Sequence, residues 1–379
     1  MTALAEVPEI VSNVPGTYPY GVWRERHPRL LARIRDAHLY PPPIRDALDA
    51  LCEETVHGVV TALPRTAHDH DTWAVWCRDH LGKPWPDAPF LWAEGYFYRR
   101  LLEAVDYFRP GPWFGHDPFG FLKNEDLQGY APERPDDDRP GAERAQRLLL
   151  GSLWGNLNDL GYSIGRDQAG VGEVGLVADD SAAVWGVLRP DAGLALVVVA
   201  DNAGQEIIAD LALIDFLLTT GRAGIVTLHV KPQPTFVSDA ITADVHTALR
   251  LLPAPVAGRL RAAAAAGRLT LSTHAFYCAP YSYHHAPADL LAAFGAADLT
   301  ILKGDLNYRR LVGDRHWPAT TPFVTAAGYF PGRVVTLRTL KSDVVVGLAP
   351  DTLAALDATG GPWRTTATHA LIQANLRPE

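Results

Sequence analysis

At 379 residues, with 47% hydrophobic residues and a mean hydropathy of -0.03, the chain holds enough apolar material for one large core or two modest ones, which excludes an intrinsically disordered polypeptide. A formal net charge of -9 and a pI near 5.9 exclude the clustered basic surface that embraces nucleic acid, so any phosphate it binds is held locally. No apolar run approaches the roughly 20 residues of a membrane span, and MTALAEVPEIVSNVPG lacks the basic start and apolar block of a secretory signal, so a cytoplasmic enzyme is expected.

Along the first 160 or so residues the pattern is helical. Ile44 to Leu63, Thr72 to His80 and Leu91 to Phe108 repeat apolar residues at helical spacing, and Pro41, Pro42 and Pro43 stop anything longer on the N-terminal side. APERPDDDRPGAER, Ala131 to Arg144, is rich in Pro and charge and reads as an exposed loop, its run Asp136, Asp137 and Asp138 as solvated surface, before a helix from Ala145 to Leu160. Cys52, Cys77 and Cys278 are far apart, with no CxxC and no Cys/His cluster at zinc spacing, and read as buried or idle thiols.

Beyond residue 165 strands and helices alternate. Gly175 to Ala178, Leu194 to Ala200, Gly224 to Val230, Leu269 to Ser272, Leu299 to Leu302 and Val334 to Leu337 read as strands, with helical stretches such as Ile241 to Ala265 between them. Such alternation implies a mostly parallel sheet covered by helices on both faces. Neither GxGxxG nor GxxxxGK[ST] follows a strand, which weakens a dinucleotide or P-loop reading.

Chemistry is expected where strands end, because open α/β sheets bind ligands at their carboxyl edge. The apolar run Leu194 to Ala200 delivers Asp201 and Asn202 there, Gly204 permits a sharp turn, and Glu206 falls in the first turn of the following helix, facing the same crevice. After Lys231 the chain reaches FVSD, bringing Asp239 to the same edge, with Asp244 a poorer candidate further into the helix. Two carboxylates and an amide are hard oxygen donors suited to Mg²⁺ or Mn²⁺. The structural alternative is that Asp201 and Asp239 cap helices and Asn202 shapes a turn.

Two further strand ends carry cations. In LTILKGDLNYRRLVGD, Lys303 and Arg309 flank the start of a helix expected near Leu306 or Asn307, where backbone N–H groups favour an anion. In VVTLRTLKSDVVVGL, Arg338 and Lys341 follow an apolar run. Only five lysines occur, and Lys303 and Lys341 are two of them. His274, His284 and His285 lie in a Tyr-rich loop and read as aromatic packing, with a general acid among them as the alternative; Trp113, Trp154 and Tyr281 read as core or pocket wall.

ADNAGQEIIADLALIDFLL, FVSD, LKGDLNYRRLVGD and RTLKSDVVVGL resemble the motifs of the metal-dependent damage-control phosphatases, in their acidic-residue methyltransferase-like branch. FLWAEGYFYRRLLEAVDYF, DPFGFLK and SLWGNLNDL extend the resemblance, which covers most of the chain from about Phe90 to Leu348. It departs after LWGN, where Leu157 and Asn158 stand in place of Lys and Cys.

The resemblance implies a three-layer αβα Rossmann-like domain over residues 166–379, preceded by a mostly helical domain over 1–165. It implies a divalent metal (Mn²⁺, Mg²⁺, Co²⁺ or Ni²⁺) held by Asp201, Asn202 and Asp239, and phosphomonoester hydrolysis of sugar phosphates or related damaged metabolites. Asp201, Asn202, the segment Asp305, Leu306, Asn307, Tyr308 and Arg309, and Lys341 of the RTxK motif would bind substrate, with Asn156 as a further contact to substrate hydroxyls. Glu206 matches a position linked to cofactor contact in an alternative activity, S-adenosylmethionine-dependent carboxyl methyl transfer. A non-catalytic sugar-phosphate binder is the third reading. The partner expected is a small phosphorylated metabolite, with no nucleic acid and no membrane; substrate and oligomeric state are left open.

Overall fold

The computed structural model describes residues 7–128, 141–155 and 175–376. Seven strands form one sheet in the order β1-β7-β6-β5-β2-β3-β4. They are β1 (Gly175–Asp179), β2 (Leu194–Val199), β3 (Ala223–Val230), β4 (Leu269–Thr273), β5 (Leu299–Lys303), β6 (Val334–Thr339) and β7 (His369–Asn375). The first six match the strands expected from sequence within about two residues. The seventh was not anticipated.

Strands β4, β3, β2, β5 and β6 run parallel, whereas β7 pairs antiparallel with β6 and parallel with β1. The mostly parallel αβα sandwich therefore carries two reversed strands at one edge. The chain works outward through β2, β3 and β4, then crosses back to place β5 against the other side of β2. This makes β2 and β5 the topological switch point, where diverging connections leave a crevice at the carboxyl edge.

Alternation along β2 explains the two apolar layers. Leu196, Val198 and Ala200 join a core with Leu149 and Leu153 of helix Gly141–Trp154 and with Ile207, Leu211 and Ile214 of helix Gln205–Thr219. Val197 and Val199 face the opposite core, with Phe276, Tyr283, Tyr308, Leu311 and Val346. Each fully buried Val or Leu contributes roughly 1.5–3 kcal/mol. A third core, built around Trp23, Trp85, Trp92, Tyr96 and Phe97, holds the N-terminal helices together and also takes in Val237 from the connection after β3.

Several helices differ from expectation for local reasons. The stretch Ile241 to Ala265 is two helices, Thr242–Leu251 and Ala254–Ala265, because Pro253 cannot donate a helical N–H and disfavours helical geometry at Leu252. Helix Pro42–His57 stops at Gly58 rather than running to Leu63. The helix after β5 begins at Gly304, two residues before its expected start. Helix Gly141–Trp154 packs with the sheet, and the expected boundary near residue 165, the run Asp136 to Asp138 and Asn156 all lie outside the described residues.

Candidate active site

The connection after β3 folds back beside the end of β2. Asn202 and Asp239 form an isolated antiparallel bridge, Ala203 N donates to Ser238 O at 2.7 Å, Ala240 N donates to Asp201 O at 2.8 Å, and Lys231 N donates to Ala240 O at 2.9 Å. These bonds bring Asp201, Asn202 and Asp239 together with only 4%, 5% and 2% of their surfaces exposed. Phe236 and Val237, just before this bridge, have φ of 46° and 70°, the left-handed region that non-glycine residues avoid at a cost of about 1–3 kcal/mol each. Val237 is held in the helical core, and the Phe236 ring lies 4.9 Å from that of Tyr98, so N-terminal packing maintains the conformation.

The helix-capping alternative does not describe these residues. Gly204, with φ of 69°, precedes helix Gln205–Thr219, and the amide of Gln205 donates to Asp126 Oδ2 at 2.8 Å, a carboxylate from the helical layer. Ahead of Thr242–Leu251, Ile241 N donates to Asp244 Oδ2 at 2.9 Å. Asp244 also pairs with Lys123 at 2.8 Å, which in turn pairs with Asp117 at 2.8 Å. Asp244 is thus an anchor between layers.

Asn202 is fixed from both ends of its amide. Ser238 Oγ donates to its Oδ1 at 2.6 Å, and its Nδ2 donates to Glu206 Oε2 at 2.9 Å and to Asp201 Oδ2 at 3.2 Å. Asp239 Oδ2 lies 3.2 Å from Lys231 Nζ, a lysine 2% exposed. Among the described residues no group of three or more His, Cys, Asp or Glu side chains could hold a metal. Two carboxylates and an amide oxygen at a buried strand edge fit a hard divalent cation and not a soft-ligand zinc site.

A small polar cavity of about 50 Å³ opens beside them, lined by Asp201, Asn202, Asp239, Asp305, Leu306, Arg309, Lys341, Phe236, Tyr18, Arg26 and Glu94. The structure brings most of the expected site residues to this cavity. Asn307 and Tyr308 point elsewhere. Asn307 Nδ2 donates to the carbonyls of Ala200 and Lys303 at 3.2 and 2.8 Å, and Tyr283 Oη donates to its Oδ1 at 2.8 Å, so it ties the ends of β2 and β5 together. Tyr308 Oη meets Gln373 and Val346, and the Arg338 guanidinium lies 4.2 Å from its ring centre.

The cations read as phosphate ligands are largely committed to internal carboxylates. Lys303, 1% exposed, contacts Glu206 Oε1 and Asp210 Oδ1 at 2.8 Å each and Ser152 O at 2.6 Å; burial alone would lower its pKa, but the two carboxylates override this and raise it. It therefore sits behind the site, not at its mouth. Arg338 holds Asp305 Oδ1 at 2.7 Å, an oxygen that also accepts from Ser342 Oγ at 3.0 Å. Arg309 lines the cavity while donating to Asp314 at 2.7 and 2.9 Å and to Glu94 at 2.8 Å. Lys341, 3% exposed, remains on the cavity wall.

Glu206 is 1% exposed, between Asn202 and Lys303, and does not line the crevice. The histidines of the Tyr-rich loop are also turned elsewhere: His274 meets Asp289 at 3.2 Å, His284 stacks on Tyr329 at 3.5 Å, and His285 lies near Tyr281. The cysteines are unpaired, and burial pushes the Cys77 and Cys278 thiols up to about 12.

Sequence reasoning missed Tyr18, Arg26 and Glu94. One signal was available: Glu94 is a lone carboxylate inside FLWAEGYFYRR, where an acid among buried aromatics requires a partner, here Arg309.

The match to known proteins spans these elements. Residues 22–356 match the damage-control phosphatase ARMT1-like domain. The chain is 31% identical over 332 residues to damage-control phosphatase ARMT1 of Danio rerio, covering 76% of this chain and 74% of that protein. It is 30% identical over 331 residues to the protein of the same name from Homo sapiens, covering 76% and 75%. Among solved structures, a DUF89 family protein from Pyrococcus horikoshii aligns over 93% of this chain and 98% of its own, with a TM-score of 0.44 and 15% identity. With the family domain matched over most of its length, including both halves of the cavity, the chain belongs to the damage-control phosphatase ARMT1-like family.

Proposed function

We propose that this phosphatase hydrolyses phosphomonoesters of sugar phosphates or related damaged metabolites, using one divalent ion held by Asp201, Asn202 and Asp239. The observation that carries the reading is that Asp201 and Asn202 after β2 and Asp239 on the connection after β3 are buried on one cavity wall, with Asn202 and Asp239 bridged through their backbones. A bound Mg²⁺ or Mn²⁺ would polarise the phosphoryl oxygens and make water a stronger nucleophile. Lys341 would hold the phosphoryl group, and Asp305 and Leu306 would face the remainder of the substrate. Lys231 and Ser238 keep Asp239 and Asn202 in place. In this reading the oxygen of water bonds to phosphorus as the bond from phosphorus to the ester oxygen breaks, and the departing oxygen takes up a proton to leave as the alcohol.

The carboxyl methyltransferase alternative requires Glu206 to meet a cofactor. Its two carboxylate oxygens instead face Asn202 and Lys303 in the interior, which favours the phosphatase.

The test is phosphate release from a panel of phosphorylated sugars after chelator treatment, with Mg²⁺, Mn²⁺, Co²⁺ or Ni²⁺ restored. Activity should return with metal and fall by at least about 10³-fold in Asp201→Ala and Asp239→Ala, the scale of losing a main transition-state contact. Undiminished release in both variants would sink the metal assignment, and methyl transfer without phosphate release would sink the phosphatase reading.

A further inference from the structure

Among the described residues that line the site cavity nearly all are charged or polar; Phe236 and Leu306 are its apolar side chains, and Phe236 brings its one phenyl ring. A cavity built this way offers ionic and hydrogen-bonding partners on most walls and a single flat carbon surface. Phe236 is half-buried, whereas Val237, Ser238 and Asp239 after it are buried.

The backbone is strained to place the ring there. Ser238 N donates to the carbonyl of Phe236 at 2.8 Å around Val237, whose φ is 70°, so the three residues form a γ-turn of the rare positive-φ kind. A β-branched residue in that region is a conformational outlier, and such strain gathers at ligand-binding sites whose surroundings over-determine it. The turn sends consecutive side chains to separate surroundings: Val237 into the helical core, Ser238 Oγ to Asn202 Oδ1 at 2.6 Å, and Phe236 to the cavity wall. The Phe236 ring leans on that of Tyr98, 4.9 Å away and tilted by 37°. Tyr98 is 1% exposed, so the ring is backed by the core while it borders the cavity.

We propose that Phe236 is a specificity-determining residue, its ring being the platform on which the carbon skeleton of the substrate packs while the phosphoryl group lies at Asp201, Asn202 and Asp239. This rests on the phosphomonoesterase reading and narrows the substrate to phosphate esters of ring-form sugars. A furanose or pyranose carries hydroxyls around its edge and C–H groups on its faces. The electron-rich face of a phenyl ring attracts those C–H groups, and the carboxylates of Glu94 and Asp305 on neighbouring walls accept hydrogen bonds from the hydroxyls. One aromatic wall with a few convergent polar groups is the arrangement that orients such a ligand.

The test uses the full chain with Mn²⁺, the cyclic sugar phosphate of the panel with the highest kcat/KM, and inorganic phosphate as a competitive inhibitor that has no carbon skeleton. Phe236→Gly removes the ring and suits the positive φ, so the turn is retained. KM for the sugar phosphate should rise roughly 10- to 100-fold, the scale of losing a large apolar side chain, with the phosphate inhibition constant and calorimetric Mn²⁺ affinity within about threefold of wild type. Phe236→Tyr, which keeps the ring, should hold KM within about threefold. An unchanged sugar-phosphate KM in Phe236→Gly overturns the assignment. A parallel rise in KM and in the phosphate constant overturns it too, because the ring would then only support the loop. Turnover of acyclic phosphomonoesters alone overturns the ring-form class. Wild-type protein that hydrolyses no phosphomonoester overturns the reading beneath, and this assignment with it.

Discussion

Glu206 accepts the Asn202 side-chain amide at 2.9 Å with one carboxylate oxygen and contacts Lys303 Nζ at 2.8 Å with the other. The contact orients Asn202: with Nδ2 held by Glu206, the amide carbonyl is the end turned toward Ser238. Outer partners of this kind fix ligand geometry, and losing one typically costs 10- to 100-fold in metal affinity. Glu206→Ala should therefore weaken Mn²⁺ binding by about that factor, and Glu206→Gln, which can still accept from the amide, by less. Calorimetric titration decides it; wild-type affinity in Glu206→Ala would refute the link.

Gly204 supports the same loop by having no side chain. Its φ of 69° suits glycine, and an added Cβ would lie 1.9 Å from Asp126 Oδ2, the atom that accepts from Gln205 N. Gly204→Ala should cost about 2 kcal/mol or more, from backbone strain and the displaced carboxylate together. In the Gly204→Ala/Asp126→Ala pair the clash is gone, so the combined loss should be smaller than the sum of the two single losses. Additive losses in urea unfolding would show that the two residues do not meet.

Lys123 joins the layers by pairing with Asp117 and with Asp244, at 3% exposure. Burial alone would lower its pKa, but the two carboxylates raise it, so the ammonium is charged in the folded protein. Lys123→Met leaves two carboxylates without their cation and should destabilise by about 3–5 kcal/mol, as when one partner of a buried pair is removed. Because Asp244 also accepts from Ile241 N near Asp239, Mn²⁺ affinity should fall too. A variant with an unchanged urea midpoint would contradict the bridge.

The strand ends were legible because continuous apolar runs such as Leu194 to Ala200 mark buried strands, and chemistry-bearing residues follow them directly. What sequence could not supply was pairing across distance. Lys303, Arg309 and Arg338 have the look of phosphate ligands, yet their partners Asp210, Glu94 and Asp305 are carried on helices and brought to them by packing. Strand β7 escaped notice because HALIQAN has a short apolar centre; it follows helix Pro350–Ala358 and returns antiparallel on β6. Arg26 lay in a segment whose π-helical turn breaks the ordinary helical period, so periodicity gave no hint of which face it takes.

Two buried histidines should make the protein acid-sensitive. His27 is fully buried, and burial, aided by Arg26, lowers its pKa well below the usual value. His229, 5% exposed with Tyr277 Oη 2.6 Å from its Nδ1, is lowered from 6.5 to about 4 by burial and then by His274. Between pH 6.5 and about 4 the unfolded chain binds protons that the folded chain does not, so stability rises with pH in that window and is lost as pH falls through it. At pH 5.5 the His229 imidazole costs on the order of 1 kcal/mol relative to neutral pH, and His27 acts in the same direction. The melting temperature should drop between pH 7.5 and 5.5, and the drop should shrink in His27→Phe and shrink further when His229→Asn is added. An equal drop in the double variant would assign the acid sensitivity to other groups.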